Sequence, residues 1–121
     1  MEFLPIFLKL QGQPAVVIGG GEVAARKVAL LREAGARVTV VAPALCEALA
    51  DLAARGDLLH RAERYHTGVL REAELAIAAT DDREVNKRVS QDARSLRLPV
   101  NVVDDPELCS FILPEIGRAH V

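Results

Sequence analysis

Short, uninterrupted β-branched runs alternate along this chain with longer stretches whose apolar residues recur every three or four positions, and that alternation restricts the fold more than any other feature. Ala15-Val16-Val17-Ile18 is such a run; it has no polar side, as a strand covered on both faces requires. It follows a leading segment, Leu4 to Leu10, and a Gly12-Gln13-Pro14 turn. From Glu22 to Ala34, Ala24, Val28 and Leu31 fall at i, i+4 and i+7, predicting a helix closed by Gly35. Arg37 to Val41 predicts a second strand, broken by Pro43. A helix with Leu45, Leu49, Leu52 and Ala53 on one face then ends at Gly56.

Leu58 to Ala62 reads as a third strand, placed at a sheet edge by His60 and Arg61, and Leu75 to Ala79 as a fourth. Asp81 and Glu84 have capping-box spacing ahead of a helix carrying Val85, Val89, Ala93 and Leu96. Pro99 to Val103 forms the fifth strand, Asp104-Asp105-Pro106 a turn, and Cys109 to Leu113 a last extended segment. This order predicts one α/β domain, a doubly wound, Rossmann-like parallel sheet. Ligands in such sheets lie beyond the carboxyl ends of the strands, where Gly19 to Gly21, Ala42-Pro43, Thr80-Asp81 and Asp104 all fall.

Charge and composition exclude several classes. The 15 Lys and Arg are scattered against 17 Asp and Glu, which offers no surface for a nucleic-acid backbone or an anionic membrane. The longest stretch without a charge, Leu10 to Gly21, falls short of the roughly 20 apolar residues a bilayer span needs. Met-Glu-Phe-Leu-Pro lacks the basic start of a secretory signal, so the cytoplasm is the expected location. Cys46 and Cys109 form no C-x-x-C and have no histidine pair nearby; they are expected as reduced, partly buried thiols. His60 and His66 are expected on the surface, and no metal site is predicted. With aromatic residues at only 3%, the core must come from Val, Leu, Ile and Ala.

Gly19, Gly21 and Ala24 occupy the marked positions of G-x-G-x-x-A, directly between a predicted strand and a predicted helix. Gly19 permits the tight turn, Gly21 lets a pyrophosphate approach the backbone, and Ala24 lets helix and strand pack closely. The pattern points to a dinucleotide. Val41-Ala42-Pro43 supplies neither the acidic residue that often binds the ribose hydroxyls of NAD nor an Arg for a 2′-phosphate, so spacing leaves NAD and NADP both open.

Further motifs occur in order: Leu4-Pro5-Ile6-Phe7, Arg26-Lys27, Ala78-Ala79-Thr80-Asp81-Asp82 with Val85-Asn86, Asn101-Val102-Val103-Asp104-Asp105-Pro106, and Ser110-Phe111-Ile112-Leu113-Pro114. With the glycine turn, they make nearly the whole chain resemble the precorrin-2 dehydrogenase and sirohydrochlorin ferrochelatase module of siroheme synthases. The resemblance implies oxidation of precorrin-2 to sirohydrochlorin with NAD+, and in many members insertion of Fe2+ as a further substrate. It places the family's key aspartate on Asp104 and the dinucleotide contacts on Glu22, Val23, Pro43 and Ala44. Thr80 and Asp81 are expected to cap a helix beside the nicotinamide end. Family members continue further, so the resemblance implies a C-terminally truncated module, with residues 1–114 as the NAD-binding dehydrogenase domain and homodimerisation expected of the full-length protein. Glu115 to Val121 back-translates to a common sequencing-adapter read and is expected to be a non-native tail.

Dehydrogenating a tetrapyrrole removes a hydride and a proton, which calls for a base near the nicotinamide. For Asp104 the residues alone favour a turn role in Asp-Asp-Pro, and the resemblance favours the base. Arg26, Lys27, Arg83, Lys87 and Arg88 are candidate partners for substrate carboxylates, though solvated helix faces account for most such residues. A dinucleotide-sensing module without catalysis is the alternative: it would share the glycine turn but would not need Asn-Val-Val-Asp or the following Ser-Phe-Ile.

Overall fold

The computed structural model describes residues 1–113; Pro114 and the expected tail lie outside the described residues. Five strands form one parallel sheet: β1 (Pro14–Ile18), β2 (Arg37–Val41), β3 (Leu59–Arg61), β4 (Leu75–Ala78) and β5 (Val100–Val102). Their spatial order is β3-β2-β1-β4-β5. Helices α1 (Glu22–Glu33), α2 (Glu47–Ala54) and α3 (Arg83–Ser95) connect them, with short 3-10 turns at Thr67–Leu70 and Pro106–Leu108. The winding reverses between β1 and β4, where such a sheet opens a crevice at the carboxyl ends of its strands.

Strand periodicity explains the two cores. Ala15 and Val17 of β1, Val38 and Val40 of β2 and Leu75 and Ile77 of β4 pack with Ala24, Val28 and Leu31 of α1 and Leu49 of α2. The alternate residues Val16, Ile18, Val41, Ala76 and Ala78 pack with Val89 and Ala93 of α3 and with Val69 and Leu70. Both faces are therefore buried, which is why the strands read as continuous apolar runs.

Four local expectations need correction. Leu45 precedes α2 and does not lie on it, and Leu96 at the end of α3 is 49% exposed. Asp82, not Asp81, caps α3, accepting from the backbone N–H groups of Glu84 and Val85. His60 is half-buried, its Nε2 2.8 Å from the carbonyl of Ala42, so it joins the β3–β2 edge and does not simply face solvent. Beyond β5, Ser110 brackets Val100, its Oγ accepting from the Val100 N–H at 2.8 Å while its own N–H donates to the Val100 carbonyl. These contacts cover the outer edge of β5, an edge that would otherwise present unpaired backbone groups.

Candidate active site

The glycine turn leaves β1 under close steric control. Gly19 has φ +131, and a Cβ there would strike the Ala79 carbonyl at the end of β4. Gly20 is as constrained: a Cβ would meet the carbonyl of Ala44, and the Cys46 N–H donates to the Gly20 carbonyl at 2.7 Å. The turn is thus clamped to β4 on one side and to the segment after β2 on the other. Gly20 occupies an unmarked position of the motif, so its role could not be read from spacing. A Cβ at Gly21, in contrast, would touch nothing.

Gly21 is also the N-cap of α1 and offers no side chain to its first turn. The leading N–H groups of a helix lack intrahelical acceptors, and the first backbone bond here runs from Ala25 to the Gly21 carbonyl. Donors, a favourable helix end and a missing Cβ therefore meet on one side of the turn, a cradle that fits the pyrophosphate of a dinucleotide. Ala24, fully buried, lets α1 lie close on the sheet.

A cleft of about 820 Å³ opens at the carboxyl ends of the strands, a size that suits a cofactor site. Its walls include Gly19, Gly21, Glu22 and Val23 of the turn, Pro43 and Ala44 after β2, Thr80 and Asp81 after β4, and Asp104 after β5. Every residue singled out for catalysis or cofactor binding thus lines one cavity. Glu63, Arg64, Tyr65 and Arg88 join them. Of the five basic candidates, Arg88 alone lines the cleft; Arg83 is paired with Asp105 at 3.2 Å.

The β4–α3 corner is held by Asn86, which is almost fully buried. Its Oδ1 accepts from the Thr80 hydroxyl at 2.6 Å and from the Thr80 N–H at 3.2 Å, and its Nδ2 donates to the Thr80 carbonyl at 3.0 Å. Thr80 Oγ1 in turn accepts from the Asp82 N–H. Thr80 is fixed by three bonds to one side chain, leaving Asp81 exposed on the cleft wall.

Asp104 lies in the left-handed region with φ +61. For a residue other than glycine that conformation costs about 1 kcal/mol. Its backbone is held from both sides: Val103 N–H donates to the Ala78 carbonyl, Asp105 N–H to the Val102 carbonyl, and the buried Cys109 thiol lies 3.1 Å from the Val102 nitrogen, accepting its N–H. The Asp105 carboxylate is engaged by Arg83, whereas that of Asp104 is exposed and bonded to none of the described residues. Asn101 does not reach it; its Nδ2 donates to the Phe111 carbonyl.

On the far wall, Glu63 Oε1 lies 2.7 Å from His66 Nε2, and Oε2 accepts from Arg61 Nε at the same distance. The hydrogen bond from His66, aided by Arg61, holds this carboxyl below the usual glutamate range. Burial, reinforced by the hydrogen bond to Asp92, raises the Tyr65 phenol above its ordinary value.

Residues 6–115 match the model of a protein family described as "Putative NAD(P)-binding". The chain belongs to this NAD(P)-binding family. More particularly, it is 58% identical over 120 residues to the siroheme synthase of Nitrosospira multiformis and 55% identical over 116 residues to that of Methylobacillus flagellatus. Each match covers 96% of this chain and 25% of the relative, so the chain spans about a quarter of the length of these curated relatives. Among solved structures it is similar to SirC, precorrin-2 dehydrogenase, with a TM-score of 0.82 and 27% identity over 93% of this chain and 55% of that one. Among the described residues no helix is long and apolar enough to cross a membrane.

Proposed function

We propose that this chain is an NAD+-dependent dehydrogenase that oxidises precorrin-2 to sirohydrochlorin in siroheme synthesis. Its similarity to siroheme synthases and to SirC supports the reaction. The observation that carries the reading is the Asp104 carboxylate: it is unpaired among the described residues, sits on backbone of positive φ, and shares one cleft with the glycine turn.

In this reading Gly19, Gly21, Glu22 and Val23 hold the pyrophosphate, and Pro43 and Ala44 contact the adenosine ribose through backbone groups, so no carboxylate is needed after β2. Thr80 and Asp81 border the nicotinamide. When bound, the oxidised nicotinamide supplies the hydride acceptor. Asp104 takes the accompanying proton, both its oxygens being free to accept it. The same carboxylate accepts one of the two pyrrolic protons displaced when Fe2+ enters sirohydrochlorin as a second substrate, the other passing to solvent. Residues 1–114 are the dehydrogenase domain of a cytoplasmic protein that is homodimeric at full length.

Replacing Asp104 with Ala tests the assignment. Turnover of precorrin-2 with NAD+ under anaerobic conditions is expected to fall by about 10²–10⁴-fold, with NAD+ affinity within about twofold of wild type. A variant that turns over normally removes Asp104 from the mechanism.

A further inference from the structure

Arg88 stands on the second turn of α3 and lines the cleft, yet pairs with no carboxylate among the described residues. Its natural partner is Asp92, four residues on along the same helix face. Asp92 is otherwise engaged: its Oδ2 accepts from the Tyr65 hydroxyl at 2.6 Å and from the Thr67 hydroxyl at 3.0 Å. Tyr65, held in that way, carries the Arg88 guanidinium 5.3 Å from its ring centroid. A cation on a ring face is held in place without its charge being neutralised.

The other cations nearby differ: Arg64 also lines the cleft without a carboxylate partner among the described residues, but no aromatic ring fixes its guanidinium. Arg61 is bound to Glu63 and Arg83 to Asp105. Arg88 thus keeps its planar fork of donors available on the wall that Val85, one turn earlier, makes apolar. The Tyr65 phenol, raised by burial and by Asp92, stays a neutral donor, which keeps the ring fixed.

We propose that Arg88, seated on the ring of Tyr65, is a pre-positioned oxyanion-binding residue of this cleft, taking a carboxylate of the tetrapyrrole or a phosphate of the dinucleotide. The proposal rests on reading the cleft as a cofactor and substrate site. Tyr65 acts through Arg88 and is a positioning residue.

Binding of two probes to the full chain, NAD+ and the stable octacarboxylate uroporphyrin, separates the sources. Arg88→Ala is expected to weaken one of them by about 10–100-fold at unchanged Tm, because hydrogen bonds between charged groups are the strong ones. Loss of NAD+ affinity assigns Arg88 to a phosphate; loss confined to uroporphyrin assigns it to a carboxylate. Arg88→Lys should recover only part of the loss, lacking the bidentate fork. Tyr65→Phe keeps the ring but frees Asp92 to pair with Arg88, so it should weaken binding measurably but less than Tyr65→Leu, which should resemble Arg88→Ala. Wild-type affinity of Arg88→Ala for both probes overturns the role of Arg88 alone. A wild-type protein that binds neither probe overturns the reading of the cleft and the role of Arg88 with it.

Discussion

Neighbouring glycines in the turn answer to different demands. Gly20→Ala drives a Cβ into the Ala44 carbonyl and should cost at least about 2 kcal/mol, read as a fall in Tm. Gly21→Ala meets open space at φ −95, so Tm should hold or rise slightly while NAD+ affinity falls about tenfold or more in a binding titration. Equal loss of Tm in both variants would contradict the separation of structural and binding roles. Asp104→Gly extends the logic: glycine adopts φ +61 without strain, so stability should be kept while turnover is lost. Residue patterns made the turn legible because strand, glycines and helix are contiguous. Tyr65 and Arg88 were harder to read, because their pairing joins residues far apart in the chain and Tyr65 lies in a stretch without periodicity.

Between elements, fixed corners set the cleft. Asn86→Ala removes all three bonds to Thr80 and leaves backbone groups unpaired, so it should destabilise by about 1–3 kcal/mol in denaturant unfolding. The sequence placed the cap of α3 one residue early, since Asp81 and Glu84 match the capping-box spacing. Thr80 explains the shift: pinned by Asn86, it receives the Asp82 N–H and leaves the Asp82 carboxylate to accept from Glu84 and Val85. The strands were legible because both faces are buried, whereas the crossover before β4 was not, its core residues Val69 and Leu70 being held on a single 3-10 turn too short to show a period. In the loop after β3, the lowered Glu63 carboxyl gives a pH signature. A depressed carboxyl contributes stability above the ordinary glutamate range and loses it as pH falls through its folded value. The Tm difference between wild type and Glu63→Gln should therefore shrink as the solution is acidified below that range; a difference independent of pH would rule out the His66 and Arg61 contacts as its source.

Over the whole molecule, the buried core lies in the sheet, its three helices and short connecting segments that contribute Leu58, Val69, Leu70, Leu98 and Cys109, while Leu4, Ile6, Phe7 and Leu8 of the leading segment are exposed. In the chain alone, Phe7→Asp should leave Tm nearly unchanged, as an exposed substitution does. The two cores support a single cleft in which the glycine turn and Asp104 face the same space. The most direct test of that arrangement as a dehydrogenase is anaerobic incubation of the chain with precorrin-2 and NAD+, following NADH and sirohydrochlorin together while NAD+ binding is measured on the same sample. The account predicts bound NAD+ and equimolar NADH and sirohydrochlorin, abolished by Asp104→Ala. Bound NAD+ with no NADH formed would contradict it for this chain and bring forward the dinucleotide-sensing reading.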